Sequence, residues 1–338
     1  TFAILEKTNP FLDKHISLDK FPQRVRKRLQ LWTDPLWSQD QYLLHYRKEG
    51  FLEPGTGWAM TSSRHLIYPS LGFSRAPHVH RPDWVETYLR RPAVKKMGAI
   101  ISLRDTGEEN YFHFFNDVLP KLFFLKENSV DLMKFSFVVS EKLFRKQYFQ
   151  FYFQNTWLKD LSWHVQRAEW LHFEEAVFCK PYTHTKRYFE TAAQLVDAIP
   201  SSLQHERIFL TRSLKSLRFI ENIDEIIPVL KEFRFTVIDA ASLPFLEQVS
   251  LFQRCRHLVA VHGAGLANMI FRKGEPLSVL EIVQPVTYIP FHYIMLAHQY
   301  GYHYDILEGA RGRMKQQGGF RVLPAELRSK IEVMVKSD

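Results

Sequence analysis

The chain has 338 residues, and because domains usually run about 100 to 200 residues it predicts two of them. Hydrophobic residues make up 46% and charged residues 24%, ordinary globular usage that excludes a long disordered tail. A formal charge of +9 implies anionic company: nucleic acid, an acidic membrane face, or phosphate-bearing small molecules.

Residues 1 to 100 are rich in Pro, His and Arg with poor periodicity, and predict an irregular segment with short elements. A strand over Met97–Leu103 leads through the loop RDTGEEN into YFHFFNDVLPKLFFL, apolar at helical spacing, with a kink or restart expected at Pro120. FSFVVS then reads as a buried strand, the aromatic stretch from Lys142 to Phe153 as a helix, EEAVFCKP as a strand, and TAAQLVDAI as a helix. The polar joint PSSLQHE sets the domain boundary, giving an N-terminal α/β domain over 1–204 and a C-terminal domain over 205–338.

From Arg207 the alternation is regular. Strand RIFLT is followed by helix ENIDEIIPVLKEF, strand RFTVID, helix SLPFLEQVSLFQRC, strand HLVAVHG, helix AGLANMIF and strand LSVLEIVQ. Such alternation predicts a parallel, doubly wound sheet with right-handed crossovers. The last helix is left able to pack back on the N-terminal domain.

Ligands of open parallel sheets bind beyond the carboxyl ends of the strands. Those ends carry Thr211 and Arg212, then Asp239, then His262 and Gly263, then Glu281 to Gln284. In VAVHGAGLANMIF, Gly263 and Gly265 open a strand-to-helix turn where backbone N–H groups can approach an anion. It is not a dinucleotide fingerprint, because Asn268 stands where the third glycine belongs. In TRSLKSLR, Arg212, Lys215 and Arg218 follow the first strand, and the guanidinium forks of Arg212 and Arg218 suit a diphosphate. Glu281 suits ribose hydroxyls, and as an inward strand residue it needs a partner, either a ligand or a buried arginine.

NYFHFFNDVLP places His113 and Asp117 four apart on one helix face, with Asn110 at its start. An imidazole beside a carboxylate is a candidate general-base pair. The structural alternative has Asn110 capping the helix and Asp117 satisfying His113. Asp105, Glu108 and Glu109 are rival bases. His78 and His80 lack a third ligand nearby in sequence, and no Asp-X-Asp pair occurs, so a metal-independent site is expected.

Three blocks, NYFHFFNDVLP, IFLTRSLKSLRFIEN and LVAVHGAGLANMIFRKGEPLSVLEI, together resemble glycosyltransferase family 61 over roughly residues 95 to 285. HGAGLANMIF is the most specific of them, with Ala267 where the family often has Thr. The resemblance implies two Rossmann-like domains facing a cleft, a GT-B-like arrangement, and an inverting glycosyltransferase that uses a nucleotide-diphosphate sugar such as a UDP-sugar and no tightly bound cofactor. It implies that Arg212 and Arg218 meet the diphosphate, that His262, Gly263, Ala264, Gly265 and Leu266 line the phosphate turn, and that Glu281 holds the ribose. Asp239 joins the nucleotide side as a strand-end residue. Asn110, His113 and Asp117 would face the acceptor, a glycan or polysaccharide hydroxyl, with His113 or Asp117 as base. A catalytically silent nucleotide- or polysaccharide-binding module, or another nucleotide-dependent transferase on the same fold, is the alternative.

No RNA-binding aromatic motif, zinc-finger spacing or long Lys/Arg block occurs, so no nucleic-acid partner is expected. Two distant cysteines, Cys179 and Cys255, argue against a disulfide framework. Without an export signal or an Asn-X-Ser/Thr acceptor, the expected setting is cytoplasmic, with a basic surface suited to peripheral contact with an anionic inner membrane. Because the chain opens at Thr1, a luminal enzyme of the Golgi or endoplasmic reticulum separated from an N-terminal anchor is the alternative expectation.

Overall fold

The computed structural model describes residues 2–8, 18–29, 39–71, 93–196, 206–213, 218–274, 276–285, 289–313 and 318–336. The chain forms two units, one of Thr1–Thr8 with Ser38–Leu195 and one of Asn9–Trp37 with Val196–Asp338. The early helix α1 (Gln23–Leu29) therefore groups with the C-terminal half, not with the 1–204 segment in which its chain position put it. Its Val25 and Leu29 are buried. Arg24 and Arg28 both pair with Glu308, and Arg28 also donates to the Gln284 carbonyl at 3.1 Å. Those partners are far along the chain, which is why local composition does not reveal the grouping.

The first unit is built on a mixed sheet. Four strands, β1 (Phe2–Thr8), β2 (Gln39–Tyr46), β3 (Gly50–Leu52) and β4 (Ala59–Thr61), come from the segment expected to be irregular. The others are β5 (Val94–Ser102), β6 (Ser136–Ser140), β7 (Ser162–Gln166) and β8 (Trp170–Lys180). The sheet order is β1-β2-β8-β5-β6-β7, with β3 pairing β4 and β8. β8, β5, β6 and β7 run parallel, whereas β1, β2 and β3 add antiparallel, so this unit departs from a purely parallel Rossmann-like sheet.

After β5 comes helix α2, in which Tyr111–His113 is α-helical, Phe114–Val118 forms a π turn, and Leu119–Glu127 is α-helical again. Pro120 does not break it, because it sits in the first turn of the last segment, where its missing N–H costs little. The π turn absorbs the irregularity instead. The short α3 (Glu141–Phe144), α4 (Gln147–Asn155) and α5 (Lys186–Gln194) complete the unit. Of the stretch read as helix near the joint, 197–199 lie outside the described residues.

Much of the aromatic content is core here. Phe114, Phe115, Phe149 and Tyr152 are essentially inaccessible, and Phe114 meets Phe115 edge-on at 5.0 Å between ring centroids.

The second unit carries β9 (Arg207–Leu210), α6 (Ile223–Glu232), β11 (Thr236–Ile238), α7 (Phe245–Arg254), β12 (His257–Val261), β13 (Ser278–Val283), α8 (His292–Tyr300), β14 (His303–Glu308) and α9 (Pro324–Lys336). Its five-stranded sheet has the order β11-β9-β12-β13-β14, and every neighbouring pair is parallel. A separate small sheet of β10 (Phe219–Ile220), β15 (Ala310–Arg311) and β16 (Gly319–Arg321) has the strand order β10-β16-β15.

Strand alternation sorts the side chains. Phe209, Val259, Val261, Leu280, Ile282 and Leu307 form one core with Ile226, Val229 and Leu230 of α6 and Leu327, Ile331 and Met334 of α9. The last helix thus packs on the sheet of its own unit. Ile208, Leu210, Leu258, Ala260, Val279 and Glu281 have the opposite parity, the face on which Tyr293 of α8 meets His262. Among the described residues, no helix is long and apolar enough to cross a membrane.

Candidate functional site

The chain leaves β9 for β11 on one side and returns to β12 on the other, so β9 and β12 flank the point where the sheet's winding reverses. In open α/β sheets that crevice is where ligands bind. The residues directly beyond it are Thr211 and Arg212 after β9, and His262 and Gly263 after β12.

Two guanidinium groups converge there on one acceptor. Arg212 Nη1 donates to the His262 carbonyl at 3.0 Å, and Arg218 Nη1 approaches the same oxygen at 3.4 Å. Arg212 lies below its ordinary pKa, first because burial removes water and second because Arg218 is a like charge nearby. Lys215, between them in sequence, lies outside the described residues.

Gly263 makes this possible. A Cβ at that position would lie 3.0 Å from Arg212 Cζ and closer still to Nη1. Its φ of 162° is ordinary extended backbone, so the requirement is space, not left-handed geometry. Gly265 differs, because a Cβ there would touch only Leu210 and Ala240, at ordinary contact distances of 3.6 and 3.7 Å.

The segment Ala264–Phe271 is a 3₁₀ helix, not the α-helix its apolar spacing suggests. Asn268, fully buried, holds the turn by donating to the Gly265 carbonyl at 3.0 Å and to Gln248 of α7 at 3.1 Å. Ala264 and Gly265 remain partly accessible, whereas Leu266 is a core residue with no exposed surface. Asp239 caps the short 3₁₀ turn Ala240–Ser242 by accepting from the Ala241 N–H, and its charge acts on Arg212.

Glu281 has no exposed surface at all. Its two carboxylate oxygens accept from His262 Nδ1 and from the Tyr304 hydroxyl. The partner it requires is supplied by an imidazole and a phenol, neither of which is the ligand or arginine the sequence suggested. Burial, and then the charge of Glu281, push the Tyr304 hydroxyl well above its ordinary pKa, so it stays a donor. Tyr293, on α8, meets the His262 ring edge-on at 5.4 Å. Its hydroxyl is also pushed up, by burial first and then Glu281, with Arg218 and Arg212 acting in the other direction. Tyr293 and Tyr304 escaped sequence reasoning because neither lies in the motif blocks and both reach the site through the fold.

In the first unit, Asn110 caps α2, accepting from the N–H groups of Phe112 at 2.9 Å and His113 at 3.4 Å. His113 Nδ1 lies 2.7 Å from Asp117 Oδ2. The other Asp117 oxygen accepts from Asn116 Nδ2 at 3.1 Å, and the Asn116 carbonyl accepts from the His184 N–H at 2.7 Å. His184 holds a left-handed backbone, φ 57°, uncommon for a residue with a side chain. Asn116 and His184 are thus supporting residues that spacing alone did not single out.

Asp117 is buried, while His113 keeps about a quarter of its side chain accessible, 24%. Burial pulls His113 down, but the hydrogen bond and charge of Asp117, with Asp105 and Glu109 beyond, outweigh it and leave the imidazole above its ordinary value. Burial pushes Asp117 up, and His113, Lys180 and His184 more than reverse this, leaving it below the ordinary carboxylate range.

The rival bases divide. Asp105 is tied to Lys121 at 3.1 Å and Glu108 to Arg104 at 2.8 Å, all four buried, which locks the loop before α2. Glu109 contributes its charge to His113 and its carbonyl to the Tyr148 hydroxyl. His78 and His80 lie outside the described residues. Among the described residues, no group of three or more His, Cys, Asp or Glu side chains is placed to hold a metal ion.

Both clusters fall inside or beside one family match. The family model described as Glycosyltransferase 61 covers residues 111–280, from the start of α2 to the residue before Glu281. A search of the curated proteins finds no match. The matched span is half of the chain, and the chain therefore belongs to the glycosyltransferase 61 family, with glycosyl transfer as the activity that membership implies.

Proposed function

We propose that the second unit binds the diphosphate of a nucleotide sugar, a UDP-sugar, and that the protein transfers the sugar with inversion to a hydroxyl of a glycan or polysaccharide. The observation that carries the proposal is the convergence of Arg212 and Arg218 on the His262 carbonyl at the sheet's switch point, with Gly263 making room. Two guanidinium forks held side by side suit paired phosphates and would neutralise the leaving diphosphate without a metal ion.

The base in this proposal is His113, with Asp117 as its positioning partner. Asp117 already uses both oxygens on His113 and Asn116, so its part is to hold the proton on Nδ1. Nε2, the nitrogen that Asp117 does not hold, takes the proton of the acceptor hydroxyl. The acceptor oxygen bonds to the anomeric carbon as the bond to the β-phosphate oxygen breaks, and UDP departs with the electron pair. A GT-B-like pairing of the two units belongs to the same proposal.

The test is a thermal-shift and hydrolysis screen of the whole chain against a panel of sugar nucleotides, with EDTA and again with Mn²⁺. Stabilisation and slow hydrolysis by one of them in EDTA supports the proposal. Activity only with Mn²⁺ would remove its metal-independent part, and binding without turnover in the presence of varied acceptors would make the chain a binding module.

A further inference from the structure

Glu281 is the one acidic side chain with no exposed surface in the second unit's described residues, and it occupies the middle of a buried strand. A carboxylate there is costly unless fully bonded. Sheet register explains its partners. Glu281 lies opposite Ala260 on β12, and His262 follows Ala260 by two residues, so both side chains rise on the same face. On the other side Tyr304 lies opposite Val279, two residues before Glu281, again on that face. Three strands thus bring a phenol, a carboxylate and an imidazole into line, Tyr304 to Glu281 to His262. The same His262 offers its carbonyl to Arg212 and Arg218.

We propose that Glu281, braced by Tyr304, is a positioning residue for the two-arginine cradle and not a ribose ligand. It holds the proton of His262 on Nδ1, fixes the ring against Tyr293, and so fixes the peptide whose oxygen keeps Arg212 and Arg218 together. This rests on the donor-site reading above. It extends that reading by assigning Glu281 to the phosphate end of the nucleotide through His262. A residue that touched the ribose would act on the nucleoside end.

Equilibrium binding of three probes separates the two roles: UDP, inorganic pyrophosphate and uridine, each measured by calorimetry on the whole chain. Glu281→Gln cannot accept from both donors, because one end of the amide is itself a donor. The expected result is that it weakens pyrophosphate and UDP alike, by about tenfold, with uridine unchanged. Tyr304→Phe removes only the brace, and a loss of a few-fold in pyrophosphate affinity is expected. It also serves if Glu281→Gln does not fold, a point checked by circular dichroism.

The ligand-free protein supplies a second readout. Long-range ¹⁵N–¹H correlation on histidine-labelled protein should show, besides the Nδ1–H form of His113, a further Nδ1–H imidazole that is lost in Glu281→Gln and kept in Tyr304→Phe. Unchanged pyrophosphate affinity with weakened uridine overturns the proposal in favour of a ribose contact. A wild-type chain that binds neither UDP nor pyrophosphate overturns the donor-site reading, and the proposal falls with it.

Discussion

The guanidinium of Arg212 lies directly on the α-carbon of Gly263, with Cζ 3.0 Å from where a Cβ would stand. The clash in Gly263→Ala would fall on the far end of a flexible side chain, so the fold can yield by moving Arg212. The variant should melt within a few degrees of wild type while its affinity for UDP falls about tenfold, the worth of a charge-assisted hydrogen bond. Calorimetry beside a melting curve checks both, and an unchanged affinity would mean that the placement of Arg212 is irrelevant to the nucleotide.

Arg212 and Arg218 should not behave as independent contacts, since both bond to the His262 carbonyl. Each alanine variant is expected to weaken UDP by about 10- to 100-fold, and the double variant by less than the product of the two. Arg212→Lys should behave nearly as badly as Arg212→Ala, because an ammonium cannot present two parallel donors. Strictly multiplicative losses would contradict a shared cradle.

The dyad in α2 makes a pH prediction with a definite sign. Because Asp117 raises His113, kcat/KM should climb with pH along an acid limb set by an imidazole above its ordinary value. Asp117→Asn removes the two largest raising influences, its hydrogen bond and its charge, and leaves burial opposed only by Asp105 and Glu109, so the limb should move to lower pH. His113→Ala should lose about 10²- to 10⁴-fold in turnover with UDP affinity unchanged.

Stability follows the same pair. The His113 contribution is fully present below its unfolded pKa and lost as pH rises through the raised folded value; the Asp117 contribution is present above its unfolded pKa and lost as pH falls through the depressed folded value. The stability gap between wild type and Asp117→Asn should therefore be widest between the ordinary Asp and His pKa values. Melting curves across that range test this, and a gap independent of pH would sink the coupling.

Asn110 offers a control that separates capping from binding. Its side-chain oxygen serves two N–H groups of α2. Asn110→Ala should cost about 1 kcal/mol, a shift of about 2–4 °C, and leave UDP affinity alone. A loss of UDP affinity without a change in melting would return Asn110 to the ligand side.

Local pattern carried much of this protein. The alternation from Arg207 onward predicted the parallel sheet because buried parallel strands must be apolar and their crossover helices amphipathic, and both periods are written residue by residue. The four-residue interval from His113 to Asp117 likewise announced a shared helix face, and it survives the π turn at 2.7 Å. The glycines after β12 marked a tight turn, although which of them the turn needs depends on Arg212, a residue from another strand end.

Tertiary structure decided what lies across the sheet from what. No spacing in the sequence links Glu281 to Tyr304, Asn116 to His184, or Arg28 to Glu308, because each contact depends on strand order and register. The strands β1 to β4 were invisible for a related reason: β2 and β3 add antiparallel to β8, far along the chain, and β1 and β4 add to them in turn, so these strands take their stability from the strands they pair with and not from their own apolar period. The sequence by itself determined which segments bury a face; only the fold determined which polar groups those buried faces bring together, since a buried carboxylate selects its partners by proximity in space.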